Sequence, residues 1–192
     1  VDFYTSVASA GDVDGDGFDD ILIGGSNHGA YLILGTSVGA SSYFDLGLAD
    51  YHFTGGAYSS GDTVASAGDV DNDGLDDILI GAPYSNANGL SLESDGRVYL
   101  VLSSGLGSTS YDLAQADYIF DGEGAGHNAG RSLSAGDVDN DGFDDILIGA
   151  TGPVYGGGQS YLILGDSFSA LPSYMNLAGA DFIFSGVGGD GM

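Results

Sequence analysis

The residues best suited to chemistry are aspartates grouped in a nine-residue motif that the chain carries three times, beginning at Asp12, Asp69 and Asp137. The motif reads DVDGDGFDD, DVDNDGLDD and DVDNDGFDD in the three copies. Carboxylates at positions 1, 3, 5 and 9 can converge on one centre, because the glycine at position 6 permits a sharp turn, and position 7 can add a backbone carbonyl. This all-oxygen set suits a hard cation with about six to eight ligands, so the motif predicts Ca²⁺ at three sites.

Other cations and a metal-free turn fit the motif less well. Magnesium prefers a stricter octahedron with bound waters and is the second choice. Zinc and copper favour imidazole or thiolate ligands, which the motif lacks. An EF-hand loop begins in the same way but has a bidentate glutamate at position 12, where this chain has Ile23, Ile80 and Ile148. A metal-free Asp-Gly turn would leave the carboxylates of each motif repelling one another with nothing to offset them.

The motif lies inside a longer repeat, which predicts the elements that hold it. Nearly the same sequence runs through residues 7–25, 64–82 and 132–150, and each copy has an apolar segment on either side of the motif. Two further apolar segments follow in each copy, at 30–35, 97–103 and 160–165, and at 49–55, 116–122 and 180–186. Short segments rich in Ile, Val, Tyr and Phe, separated by turn residues, indicate β-strands.

Four strands per repeat predict propeller blades, with a β-solenoid or a β-sandwich as the alternatives. We therefore expect an all-β fold of three four-stranded antiparallel repeat units, at residues 1–55, 56–122 and 123–192. The segment Ile21–Ile23 and its equivalents are apolar without alternation, which is typical of strands buried on both faces. Because propellers usually close with about four to eight blades, three units indicate part of a larger β-propeller or repeat array.

Composition and charge narrow the class further. The chain has 192 residues with 36 glycines and no cysteine, which favours turns and excludes disulfides and thiolate metal sites. Its formal net charge is −26, so it would repel nucleic acid and anionic membrane surfaces. No apolar run approaches the roughly 20 residues that span a bilayer, so membrane insertion is not expected. Bound divalent cations would offset the charge, and adaptation to a salty medium is the alternative explanation.

The aspartate loop and the apolar strand after it resemble the FG-GAP repeat of integrin α-chain β-propellers. The GAP element stands at Gly81–Pro83, and the other two copies read Gly24–Ser26 and Gly149–Thr151. The resemblance implies that the loop joins the first and second strands of a blade and holds calcium. The ligands it implies are the side chains of Asp12, Asp14, Asp16 and Asp20 with the carbonyl of Phe18, those of Asp69, Asp71, Asp73 and Asp77 with that of Leu75, and those of Asp137, Asp139, Asp141 and Asp145 with that of Phe143.

These observations favour a calcium-binding extracellular module, secreted or at the cell surface, with a structural or adhesive role. We expect no enzymatic activity, because the sequence contains no nucleophile-elbow or phosphate-loop spacing. The expected partner is a protein, a glycan or further copies of the same repeat, in a longer chain or a homo-oligomer. Two alternatives stay open: a subunit of a self-assembling extracellular filament, and an accessory propeller domain of a secreted enzyme.

Overall fold

Strands and short turns make up the part of the chain that the computed structural model describes. That part comprises residues 4–26, 28–39, 42–86, 94–152 and 157–186, without the side chains of residues 4 and 5. Its strands are β1 (Tyr4–Gly11), β2 (Asp20–Gly25), β3 (Gly29–Ile33), β4 (Tyr51–Thr54), β5 (Thr63–Gly68), β6 (Asp77–Ala82), β7 (Arg97–Val101), β8 (Ser110–Asp112), β9 (Tyr118–Asp121), β10 (Ser132–Gly136), β11 (Asp145–Ala150), β12 (Gln159–Ile163), β13 (Tyr174–Asn176) and β14 (Phe182–Ser185). Its 3₁₀ helices lie at Gly35–Ser37, Leu46–Leu48, Ser103–Gly105, Leu113–Gln115, Gly165–Ala170 and Leu177–Gly179.

Each of the three sheets is built on four antiparallel strands of one repeat. The orders are β1-β2-β3-β4, β5-β6-β7-β9 and β10-β11-β12-β14, so the aspartate motif always lies between the first two strands of a sheet. The inner strands carry Val, Ile, Leu and Tyr, as in DILIGA of β6 and RVYLV of β7, and such side chains pack well on a pleated surface. The predicted all-β fold of antiparallel, four-stranded blades is confirmed.

Two of the sheets receive a fifth strand from the next repeat, which the prediction of four strands did not include. β8 lies parallel to β4, with Tyr111 opposite Phe53, and β13 lies parallel to β9. At the second junction, the Arg97 guanidinium lies over the ring of Tyr174 in β13. Arg97 is held in place within its own sheet by an ion pair, since its Nε lies 2.5 Å from Asp121 Oδ1. Adjacent repeats are therefore interlocked at the edges of their sheets.

The apolar core lies between the sheets, in two clusters. One cluster packs Leu22 and Phe53 of the first sheet against Ile78 of the second. The other packs Leu79 of the second sheet against Ile146 of the third. Consecutive residues of β6 thus point to opposite neighbours, because side chains alternate between the two faces of a strand. β6 is therefore buried on both faces, as its uninterrupted apolar sequence predicts.

The same position of the repeat is buried or exposed according to which neighbour its sheet has. Leu22 and Leu79 are fully buried against the following sheet, whereas the equivalent Leu147 of the third sheet is 39 % exposed. On the opposite side, Ile21 of the first sheet is 37 % exposed, whereas the equivalent Ile146 is fully buried. We call the face of a sheet that points toward the following repeat its forward face, and the opposite one its backward face. In the described part of the chain, the forward face of the third sheet and the backward face of the first sheet are therefore open.

Truncating the phenylalanine of the last strand in a repeat should lower the stability much more on a covered face of a sheet than on the open face of the third sheet. Phe120 is fully buried, and Phe184 holds the equivalent position in the third sheet but is 54 % exposed. We expect Phe120→Ala to lower the free energy of unfolding by about 3–5 kcal/mol, through lost burial and a cavity. Phe184→Ala should lower it by less than about 1 kcal/mol. Urea unfolding of both variants measures this, and equal losses would contradict an open forward face.

Candidate metal centres

Three aspartates of each motif lie close together, at positions 1, 3 and 9. In each group, one oxygen of every carboxylate lies within 4.8 Å of the others. The groups are Asp12, Asp14 and Asp20; Asp69, Asp71 and Asp77; and Asp137, Asp139 and Asp145. Elsewhere in the described ranges, no three Asp, Glu or His side chains converge in this way. The structure thus brings together three of the four carboxylates that the sequence grouped in each motif.

The first aspartate of each motif folds the loop around its own carboxylate. Asp12 Oδ1 accepts hydrogen bonds from the backbone N–H groups of Gly15 and Asp16 at 2.8 and 3.0 Å, and Oδ2 accepts one from Gly17 at 2.9 Å. The bonds from positions 5 and 6 recur in the other two loops. The position-6 glycines have φ of +90°, +93° and +96°, a conformation that glycine adopts without a steric penalty. The turn that the sequence predicted at this glycine is therefore present in all three loops.

A left-handed residue also stands at position 4, which the sequence analysis did not use. Gly15 has φ +75°, and Asn72 and Asn140 have φ +58° and +63°. Glycine and asparagine adopt this conformation at lower cost than other residues. The Gly or Asn at this position was the available signal for a second backbone reversal in each loop.

The aspartate at position 9 is buried and ties the loop to neighbouring strands. Asp77 is fully buried, and its two oxygens accept hydrogen bonds from Val70 N at 3.2 Å and from Ser103 N at 2.9 Å. Asp20 and Asp145 are buried as well and accept the equivalent pairs of bonds. One donor comes from the loop and the other from the residues that follow the third strand. The carboxylate therefore has a fixed place in the sheet.

Negative charge in these loops is costly without a cation. Burial is the main cause that raises the pKa of Asp77 from 3.8 to about 7; the two backbone hydrogen bonds oppose the rise, and the charges of Asp71 and Asp73 add to it. Burial also raises the pKa of Asp20. A divalent cation beside these carboxylates would favour their ionised form. The oxygen-only donor set and the buried carboxylate therefore fit a hard cation such as Ca²⁺.

The position-5 aspartates lie outside the three-carboxylate groups. Asp16 Oδ1 accepts a hydrogen bond from Phe18 N at 2.9 Å, and the same bond recurs in the other two loops. This carboxylate therefore holds the second half of the loop in place. The ligand roles of Asp16, Asp73 and Asp141, and those of the carbonyls of Phe18, Leu75 and Phe143, stay predictions.

The aspartate at position 8 makes a contact that the sequence analysis missed. Asp76 Oδ2 accepts a hydrogen bond from Asp12 N of the preceding motif at 2.8 Å. Asp144 Oδ2 accepts one from Asp69 N at 2.9 Å. Both bonds cross from one sheet to the next. The available signal is the Asp-Asp pair that ends every motif, in which the ligand spacing predicts a role only for the second aspartate.

Face-to-face sheets of four antiparallel strands, each with an oxygen-rich loop between its first two strands, define a propeller-type repeat protein. The family model for the FG-GAP repeat matches residues 3–44, 60–101 and 129–163. The chain belongs to the FG-GAP repeat family, as its motifs predicted.

Integrin alpha chains from several animals are similar to this chain. It is 34 % identical to integrin alpha-PS2 of Drosophila melanogaster, over 84 % of this chain and 11 % of that protein. It is 30 % identical to integrin alpha-3 of Mus musculus, over 77 % of this chain and 14 % of that protein. It is 28 % identical to integrin alpha-4 of Xenopus laevis, over 96 % of this chain and 18 % of that protein. The chain thus spans less than a fifth of the length of these relatives. None of the helices in the described residues has the length and apolar character needed to cross a membrane.

Without a bound cation, the protein should lose stability as the pH rises. The pKa of Asp77 is about 7 in the folded chain against an ordinary 3.8, so folding favours the protonated carboxyl group. This stabilising contribution is complete below the ordinary pKa and is lost as the pH rises through the folded one. Chemical unfolding in the presence of a chelator, across this pH range, measures the slope. Asp77→Asn should flatten the slope, and an unchanged slope in that variant would contradict the assignment.

Proposed function

We propose that this chain is a calcium-binding structural module of an extracellular, adhesion-type protein. Residues 1–55, 56–122 and 123–192 are its three repeats, and each repeat holds one Ca²⁺ in its loop. The observation that carries the proposal is the buried position-9 carboxylate, which lies beside two further carboxylates in every loop. Membership of the FG-GAP repeat family supports the same function.

The loops depend on a diffusible cation because the chain offers little positive charge of its own. Its two basic residues are Arg97 and Arg131. The Arg97 guanidinium pairs with Asp121, and the Arg131 guanidinium lies over the ring of Tyr84, 5.4 Å from the centroid. In the described residues, neither arginine forms an ion pair with a motif aspartate. A divalent ion is therefore the natural counter-charge for three carboxylates that lie together.

Calcium in each loop acts as a structural element. The proposed ligands are the side chains at positions 1, 3, 5 and 9 and the backbone carbonyl at position 7. Because the position-9 aspartate begins the second strand, a cation bound there joins the loop to the sheet, and its binding free energy adds to the stability of the folded state. A catalytic metal keeps an exchangeable position for water. Ligands from most positions of the loop leave little room for one, so we propose a non-enzymatic role.

The module is extracellular, and cell adhesion is its context. Similarity to integrin alpha chains over most of the length of this chain supports both statements. Extracellular calcium modules work with dissociation constants of about 10⁻⁴–10⁻³ M, so sites of modest affinity suffice outside the cell. We propose that the adhesion partner is a protein or a glycan, which the repeats contact as a rigid scaffold.

Further FG-GAP repeats would cover the two open faces. The forward face of the third sheet exposes Val138, Leu147 and Phe184, and the backward face of the first sheet exposes Val7 and Ile21. Continuous apolar surface of this kind is usually an interaction site. In the first and second sheets, the next repeat covers the equivalent forward positions. The covering repeats belong to a longer chain or to another copy, and the second case is a head-to-tail filament, our second candidate function.

Protein equilibrated in millimolar Ca²⁺ should hold three Ca²⁺ ions per chain, one for each carboxylate group. Elemental analysis measures the content, and calorimetry at constant ionic strength should find that a chelator lowers Tm, because the bound cations stabilise the folded state. Asp14→Ala should leave two sites. Asp166→Ala is the control, because it removes an exposed carboxylate outside the motifs and should leave all three. Absence of calcium together with an unchanged Tm would refute the proposal.

The purified chain should associate in millimolar calcium, because its open faces are apolar and calcium offsets the charge that opposes contact. Light scattering measures the mass, and an apolar dye reports the exposed surface. Leu147→Asp on the forward face and Ile21→Asp on the backward face should each reduce the association. A stable monomer that binds no dye at high concentration would contradict the proposal of covered faces.

A further inference from the structure

The position-8 aspartate forms a two-bond contact with the preceding repeat, which we call the inter-sheet clamp. Asp76 Oδ2 accepts a hydrogen bond from Asp12 N at 2.8 Å, and Asp76 N donates to the Asp12 carbonyl at 3.1 Å. Asp144 makes the same pair of bonds with Asp69, at 2.9 and 3.2 Å. Each clamp therefore holds both backbone polar groups of the aspartate that opens the neighbouring loop.

The residue before the clamped aspartate is a glycine that leaves room for the clamp. A Cβ atom on Gly11 would lie 2.1 Å from Asp76 Oδ2, and one on Gly68 would lie 2.0 Å from Asp144 Oδ2. Both glycines have positive φ, +78° and +65°. Only a residue without a side chain allows this close approach, so the conformation before the loop and the clamp from the next repeat fit each other.

The third repeat provides an internal comparison, because the described residues hold no following repeat. Nothing lies within 4 Å of a Cβ built on Gly136, and its φ is +153°. Among the described residues, Asp137 N has no hydrogen-bond acceptor from another sheet. Val138, at position 2, is 64 % exposed, whereas the clamped loops bury the equivalent valine. The motif sequence is nearly the same in all three copies, so these differences in conformation and exposure follow from whether a following repeat contacts the loop.

The pairing of the first strand changes in the same way. In the clamped repeats, the register between the first two strands shifts between Ser9 and Gly11, and between Ser66 and Gly68. β10 pairs with β11 without such a shift. An irregularity of this kind lets an extra residue re-aim the chain at the end of a strand. The approach to the first aspartate therefore differs between clamped and unclamped loops.

We propose that Asp76 and Asp144 are positioning residues for the calcium sites of the preceding repeats, so that each loop is completed by the repeat that follows it. This inference rests on the proposed calcium function. The clamp fixes the backbone of the first ligand and places a further negative charge near the site, and both effects strengthen cation binding. The loops that begin at Asp12 and Asp69, called loop 1 and loop 2, are complete in this chain. The loop that begins at Asp137, called loop 3, binds calcium most weakly. Because coupling is reciprocal, calcium in a loop also strengthens the docking of the next repeat.

Calcium titration followed by NMR tests the proposal one loop at a time. The amide signals of Gly17, Gly74 and Gly142 report the three loops, since each N–H donates to the first carboxylate of its own motif. In the wild type, at protein concentrations at which the chain is monomeric, loop 3 should have the highest Kd. Asp76→Ala should raise the Kd of loop 1 about ten-fold, the size expected when a group that orients a ligand is removed. The Kd of loop 3 should not change.

Asp19→Ala is the matched control. Asp19 holds position 8 of the first motif and is exposed, and no backbone N–H of the described residues donates to its carboxylate. Its effect on loop 1 therefore measures what loss of a position-8 carboxylate does to its own loop. Asp76→Ala should weaken loop 1 more than Asp19→Ala does. Equal effects on loop 1, or a uniform weakening of all three loops in Asp76→Ala, would overturn the proposal.

A rescue and a metal-free measurement separate this inference from the calcium function itself. Asp76→Asn keeps an oxygen that accepts from Asp12 N, so it should restore part of the loop 1 affinity that Asp76→Ala loses. In chelator, the Asp12 amide should exchange its hydrogen faster in Asp76→Ala than in the wild type or in Asp19→Ala. Wild-type loops that bind no calcium would refute the proposed function. If all three loops bind calcium but Asp76→Ala changes neither the hydrogen exchange of the Asp12 amide nor the Kd of loop 1, only the clamp proposal is refuted.

Discussion

Each repeat depends on the hydrogen bonds that a buried carboxylate accepts at the start of its second strand. In the middle repeat, Asp77 begins β6 and accepts hydrogen bonds from its own loop and from the residues after β7. One side chain thus fixes the loop and two strands relative to one another. Its charge is costly in a buried place, and the nearby loop carboxylates add to that cost. The repeat is therefore organised around a buried carboxylate whose charge a bound cation would stabilise.

The blades and the aspartate loops could be predicted because their signals are local. Strand segments are recognised from a few neighbouring residues, and the spacing of the motif places Asp12, Asp14 and Asp20 on one loop whatever the rest of the chain does. Agreement among three copies made these signals stronger than any one copy would have been. The same spacing grouped Asp16 with the others, but its carboxylate lies outside the converging set, because local pattern does not decide which way a side chain turns within a loop.

The features that could not be predicted depend on contacts between repeats. β8 has three residues, too few for a strand signal, and it exists because β4 of the preceding repeat offers an edge. The role of Asp76 likewise depends on Asp12, which is distant in sequence. Burial follows the same rule, since Phe53 and Phe184 hold equivalent positions and only the first has a neighbour that covers it. In repeat proteins, stability comes from each unit together with its nearest neighbours, so one unit read alone does not define its own surroundings.

The parallel edge strands also set an order of events when the chain is made. The first sheet ends with β8, whose residues lie beyond the second motif in the sequence. A ribosome adds about 5–20 residues per second, so the first repeat waits for seconds between the synthesis of β4 and the arrival of β8. During this time its edge is unpaired, and unpaired edges favour mispairing with other chains. Nascent repeats would therefore mature one step behind synthesis, each closing only when most of its successor has emerged.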